Sequence, residues 1–182
     1  MPALPVLDDL AGMVAALPLP ARVAIDGVDA SGKTTLADGL AARISEAERL
    51  SADDFLRPAA DRYRQGRQSP VGYYEDSFDH DRLRRAVLAA KTLLLVDGIF
   101  LLRPELNDLW DCRIFVHVES EESIRRGVAR DGPKMEGLYR RRYGPGQRLY
   151  LEAVRPAELA DVVVDNTDVE RPSLIPGRAR AR

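Results

Sequence analysis

A lysine inside a glycine-rich turn is the first residue of this sequence whose setting points to chemistry. Gly27-Val28-Asp29-Ala30-Ser31-Gly32-Lys33-Thr34 fits the pattern G-x-x-x-x-G-K-S/T. Glycines let the backbone turn tightly, so that successive N–H groups and the start of a following helix face a phosphate chain. Lys33 then neutralises β- and γ-phosphate oxygens, and Thr34 offers a hydroxyl to Mg²⁺. A chance match in a chain of this length is on the order of one in a hundred at average composition. The loop assigns Gly27, Asp29, Ala30, Ser31, Gly32, Lys33, Thr34 and Thr35 to nucleotide contacts, with ATP and Mg²⁺ as the expected ligands.

Carboxylates further along could complete phosphoryl transfer. Asp97 follows the apolar run Leu93-Leu94-Leu95-Val96, at the end of a predicted strand, where it could hold the metal directly or through water. Alternatively it is a turn residue before Gly98. Asp53 and Asp54 follow Arg49-Leu50-Ser51-Ala52, and either could orient an acceptor hydroxyl and take its proton, although helix capping is equally open to them. Glu122, Arg126 and Arg130 are spaced i, i+4, i+8 and share a helix face. The two arginines repel by a few tenths of a kcal/mol unless an anion such as phosphate lies between them. Arg140, Arg141 and Arg142 could close over the same phosphates or form a solvated face. Tyr73, Tyr74 and Phe78, among Glu75, Asp76 and Asp79, either build an acceptor pocket or pack a loop onto the core. His80 and His117 have no metal-ligating partner at usable spacing.

Those residues need a scaffold. Leu7, Leu10, Val14 and Leu17 line one face of a helix over 6–17, and Pro18 and Pro20 end it. Residues 22–26 read as a strand and 34–43 as a helix. Largely apolar runs at 93–96, 114–118 and 162–164 have the composition of strands buried on both faces. Helices are predicted at about 80–90, 120–130 and 147–158, which alternates strand and helix into an α/β sheet with right-handed crossovers. Pro- and Gly-containing stretches at 57–72 and 131–146 read as mobile loops, and 171–182 as a frayed tail.

At 182 residues the chain is the size of one domain. A net charge of −2 disfavours wholesale nucleic-acid binding. Cys112 is the single cysteine and lies in an apolar run, as a buried hydrophobe would. Asp8 and Asp9 stand where a signal peptide carries positive charge, and no apolar run approaches the roughly 18 residues of a membrane span. The expectation is a cytoplasmic protein with a small-molecule partner and no membrane contact. Homo-oligomerisation stays open.

Taken together, the motifs resemble the uridine kinase-like family of P-loop kinases, itself similar to phosphoribulokinases, pantothenate kinases and nicotinamide riboside kinases. The resemblance spans most of 22–168: Ile25-Asp26-Gly27 into the loop, Ser51-Ala52-Asp53-Asp54-Phe55, Gly72 to Asp79, Val96-Asp97-Gly98-Ile99-Phe100-Leu101-Leu102, Arg126 to Asp131, and Ala160-Asp161-Val162. It implies a three-layer P-loop NTPase fold with a mostly parallel sheet and a mobile lid. It further implies Asp53 as catalytic base, with Lys33, Arg126 and Arg130 acting on the phosphates and Asn166 near adenine. The acceptor contacts implied are Asp54, Tyr73, Tyr74 and Asp76. The family often carries an Asp where this chain has Tyr73, and a substrate-side hairpin where it has only the short segment 80–92. The resemblance implies transfer of the γ-phosphoryl group of ATP to a small-molecule hydroxyl, a nucleoside first and pantothenate, a sugar or another alcohol next. An ATP-binding regulatory module without turnover is the contrasting expectation.

Overall fold

In the computed structural model, which describes residues 4–177, α1 at Leu4–Ala15 and the turn through Pro18 and Pro20 deliver the chain into β1, Ala21–Gly27. The glycine-rich loop runs straight into α2, Lys33–Ala41, and β2, Glu48–Ser51, ends in a 3-10 turn over Ala52–Phe55. Three short helices follow: α3 at Ala59–Arg62, α4 at Pro70–Asp76 and α5 at His80–Leu88. Then come β3, Leu93–Gly98, β4, Cys112–His117, and α6, Ser120–Asp131. A helical run continues through α7 at Glu136–Leu138, a π-helical turn at Tyr139–Tyr143 and α8 at Gly144–Val154. α9, Pro156–Leu159, leads to β5, Val162–Asp165, and β6, Ser173–Pro176.

Six strands form one sheet in the order β2-β3-β1-β4-β5-β6. The first five are parallel, and β6 runs antiparallel to β5. Successive side chains point to opposite faces. Val23, Ile25, Leu95, Ile114 and Val116 pack onto α1 and α2 through Leu7, Leu10, Leu36 and Leu40. Ala24, Leu94 and Val96 face the other way, onto Phe55, Tyr73, Leu83, Phe100 and Tyr150. Helices cover both faces, so the strands read as apolar runs without alternation. β1 leads toward β2 while its neighbour β4 leads toward β5 on the other side. Their C-terminal ends therefore form a switch-point crevice, where open α/β sheets take ligands.

Several expectations need correction. Much of 57–72 and 131–146 is helical rather than loop. Proline was the misleading cue: Pro70 sits at the start of α4, where a missing N–H is harmless, and Ser69 caps the helix by accepting from the Gly72 amide at 3.0 Å. Asp53 and Asp54 lie in the 3-10 turn into which the chain coils at Ala52. The stretch taken as a frayed tail contains β6, and 178–182 lie outside the described residues. α5 occupies the short segment before β3. Among the described residues no helix is long and apolar enough to cross a membrane.

Candidate active site

Gly27 closes β1 and Lys33 opens α2, so the loop between them lies at the crevice. Gly32 has φ +96°, a left-handed conformation in which a side chain is strained, and a Cβ there would also stand 2.7 Å from Asn166 Nδ2. That amide donates to the Ser31 carbonyl at 2.8 Å and braces the loop from the end of β5. Asn166 Oδ1 and Ser31 Oγ are buried with no hydrogen-bond partner among the described residues. Lys33 is buried, and its Nζ donates to the Val28 carbonyl at 2.6 Å. Burial pushes the ammonium pKa down, against the pull of Asp29, Asp26, Asp53 and Asp97. Thr34 Oγ1 donates to Asp97 Oδ2 at 2.8 Å, and Arg49 pairs with Asp97 Oδ1 at 2.6 Å. Ala30, Gly32, Lys33, Thr34, Thr35, Arg126 and Arg130 line a cavity of about 480 Å³ over the loop.

A second cavity, of about 240 Å³, lies beside the first. Asp53 enters its wall from the 3-10 turn, whose first amides are steadied by Ser51 Oγ accepting from Asp53 N at 3.4 Å. Desolvation by the surrounding protein raises the Asp53 pKa, and Asp29 and Asp97 add to this, while Lys33 and Arg130 oppose it. Asp29 also lines this second cavity rather than the first. Its Oδ2 accepts from Tyr73 Oη at 3.1 Å and from Gln147 Nε2 at 2.6 Å, and its carbonyl accepts from Ser123 Oγ at 2.7 Å. Arg130 lines both cavities. Asp131 holds it at 2.7 Å, and Tyr139 Oη donates to the same carboxylate at 2.6 Å.

No family profile matches the chain. Among solved structures, a possible uridine kinase from Bacillus stearothermophilus matches with a TM-score of 0.68 at 23% identity, over 86% of this chain and 96% of that one. The chain shares its fold with that structure. TT1252 from Thermus thermophilus matches at a TM-score of 0.40 and 20% identity, over 67% of this chain and 78% of that one, too loose a likeness to bear on the fold.

Within this fold the sequence-predicted residues divide. Lys33, Thr34, Asp53, Asp29, Arg126, Arg130 and Tyr73 line one cavity or the other, and Asp97 stands behind Thr34, accepting its hydrogen bond. Asp54 is exposed, as Asp53 is, but unlike Asp53 it belongs to neither lining. Tyr74 packs on Phe100 and under Arg103, whose Cζ is 4.3 Å from the ring centre. Asp76, the last residue of α4, is buried: burial works to raise its pKa, but hydrogen bonds from Arg64 at 2.6 Å and Gln65 at 2.7 Å hold it below the ordinary value. Arg126 and Arg130 do not depend on a shared anion, because Glu122 neutralises one and Asp131 the other. Arg126 also donates to the carbonyls of Asn166 and Thr167 at 2.9 and 2.7 Å. Sequence reasoning missed Arg62, Tyr63, Tyr139 and Tyr143 in the second cavity; Arg142, expected to close over phosphates or to form a solvated face, is buried and lines that cavity too. Tyr139, Arg142 and Tyr143 stand at i, i+3 and i+4 on one side of the helical run, a spacing that carries no signal when 131–146 is read as a loop.

The donor set suits Mg²⁺. Among the described residues no three His, Cys, Asp or Glu side chains are arranged to hold a metal. One hydroxyl and one carboxylate, in hydrogen-bond contact beside a phosphate-binding loop, match an ion that keeps waters and takes phosphate oxygens as ligands.

Proposed function

We propose that the protein is an ATP-dependent phosphotransferase that moves the γ-phosphoryl group to a hydroxyl of a small molecule. The observation that carries this reading is Arg130, a single cation shared by the cavity over the glycine-rich loop and the cavity that holds Asp53. The acceptor oxygen forms a bond to the γ-phosphorus while the bond to the β–γ bridging oxygen breaks. ADP leaves with that electron pair, and the acceptor proton passes to Asp53. Lys33 and Arg130 offset charge on the transferring group, where fixed cations act most strongly. Thr34 and Asp97 are the residues that would hold Mg²⁺, which when bound neutralises the β- and γ-oxygens. The raised pKa of Asp53 makes it a stronger proton acceptor than an ordinary aspartate, which suits a general base. Arg126, tied to the carbonyls at 166 and 167, belongs to the nucleotide side in this reading, with Asn166. Closure of the 131–146 segment over both substrates completes it.

ADP release with Mg²⁺–ATP and a panel of nucleosides, vitamins and sugars tests the reading. Uridine enters the panel because the solved neighbour is described as a possible uridine kinase. At least one acceptor should stimulate release and gain the mass of one phosphoryl group. Lys33→Ala should remove that turnover while changing thermal stability little. Tight ATP binding with no stimulated turnover would identify a binding module instead.

A further inference from the structure

The wall of the second cavity contributed by α3 and the π-helical turn carries more positive charge than the protein neutralises. Arg142 is 2% exposed and lines the cavity, its Cζ 4.9 Å from the ring centre of Tyr63 and 5.5 Å from that of Tyr73. Its hydrogen bonds go only to neutral carbonyls, those of Gly66, Arg67, Ser69 and Arg62 at 3.2–3.3 Å, and its Nε has no partner. Arg62, in the same wall, also has a buried Nε without a partner. The guanidinium groups of Arg62, Arg67 and Arg142 all lie within 5.4 Å of the Tyr63 ring centre. Among the described residues none of the three is in an ion pair, whereas eleven other arginines are.

The cavity's own carboxylates are committed elsewhere. Asp131 is taken by Arg130 and Tyr139, and Asp29 by Tyr73 and Gln147. The charges acting on Asp53 are Lys33, Asp29, Asp97 and Arg130, all on the side of the glycine-rich loop. Arg142 is held out of water without a counter-charge, with Arg62 half-buried beside it and Arg67 exposed; a buried unpaired cation is costly, and an arginine fork matches the geometry of a carboxylate or phosphate. At about 240 Å³ the cavity is smaller than the roughly 300–1,000 Å³ of drug-sized sites, so few groups separate that end from Asp53.

We propose that the acceptor carries an anionic group, a carboxylate or a phosphate, bound by Arg142 and Arg62 while its hydroxyl faces Asp53. This rests on the phosphotransferase reading for the hydroxyl's role. It excludes an uncharged nucleoside as the preferred substrate. The alternative role for Arg142 is a clamp that merely ties the 62–69 stretch to the π-helical turn.

Matched triplets distinguish these: a polyol, its aldonate and its phosphate monoester, over several chain lengths, with uridine as an uncharged comparison. Each is measured for thermal stabilisation of the full chain and for stimulated ADP release. The anionic members should raise the melting temperature and exceed their uncharged parents in kcat/KM by about ten- to a hundredfold. Aldonate and ester arms then tell carboxylate from phosphate. Arg62→Gln and Arg142→Gln should bring that ratio toward one with nucleotide affinity retained, and Arg142→Lys should restore part of it. Should Arg142→Gln fail to fold, Arg62→Gln decides, since the Arg62 guanidinium donates no hydrogen bond among the described residues. Uncharged acceptors that match their anionic counterparts, or an anionic advantage that survives both glutamine variants, would overturn the proposal and leave the kinase intact. Anion binding lost in those variants, without ADP release from any acceptor, would support the anion site and sink the kinase reading. Absence of binding by every triplet member would overturn the anion site.

Discussion

Asp53 is pulled in two directions, by desolvation that favours its protonated form and by Lys33 and Arg130 that favour the carboxylate; the balance leaves its pKa above the usual 3.8. A general base must be ionised to accept a proton, so kcat should fall as pH drops through that raised value. The acid limb should therefore lie at higher pH than for an ordinary aspartate. Asp53→Asn should lower kcat by about 10²–10⁴-fold and abolish the limb, with Mg²⁺–ATP affinity nearly unchanged. Asp54→Asn, at an exposed position outside both cavities, should behave like the wild-type protein. Steady-state rates across acidic pH check both, and a limb that persists in Asp53→Asn would assign the base elsewhere.

At the scale of elements, Asp53 is aimed by the contact between its 3-10 turn and the end of β3. Gly98 lies where a Cβ would come within 2.3 Å of the Ala52 Cβ, a separation that forces movement. The glycine of the Asp-Gly pair is thus required by close packing. Gly98→Ala should cost about 1–3 kcal/mol, as overpacking does elsewhere. It should also displace the turn enough to slow transfer by about 10²-fold, since errors near 1 Å at a catalytic group have that effect. Nucleotide affinity should hold, because the loop at 27–34 is not in that contact. Urea unfolding and single-turnover rates measure the two effects, and unchanged values of both would mean that the turn yields without consequence.

Across the whole molecule, α8 is pinned to the base of the nucleotide loop by a buried bond between residues far apart in sequence. Tyr150 Oη donates to Asp26 and accepts from the Leu102 amide at 3.2 Å, while the Gly27 amide donates to Asp26 at 2.7 Å. Burial raises the Asp26 pKa, and the bonds from Tyr150, Gly27 and Leu102, together with the Lys33 charge, resist it. Between 3.8 and the raised value the folded chain holds a proton that the unfolded chain has lost. Stability from this group is therefore greatest at low pH and declines as pH rises through the window. Tyr150→Phe removes one opposing bond, so the folded pKa climbs further and the decline extends to higher pH. The variant should lose about 1–3 kcal/mol at neutral pH and less at acidic pH. Chemical unfolding at the two pH values tests the sign; equal losses would mean that Asp26 is not ionised in the folded protein.

What the sequence determined by itself was whatever neighbouring residues encode. The Gly27–Thr34 loop, the strand before it and the helix after it form one continuous segment, so spacing alone locates Lys33 and Thr34. The inner strands are buried on both faces, and that burial leaves its record as apolar runs at 93–96 and 162–164. Local signals misled where one residue type serves two purposes, as with Pro70, which starts a helix as readily as it breaks one. β6 escaped detection because an edge strand of four residues draws its stability from pairing with β5, not from its own composition. Tertiary structure alone decided that Asp29 faces the second cavity and that Asp76 is held by Arg64 and Gln65 at the end of α4. It alone decided that Arg142, third of three consecutive arginines, is the buried one. Those outcomes depend on groups brought together by the fold, 12 residues apart for Arg64 and Asp76, 76 for Gly66 and Arg142 and 118 for Asp29 and Gln147, and no pattern among neighbouring residues records which of them will meet.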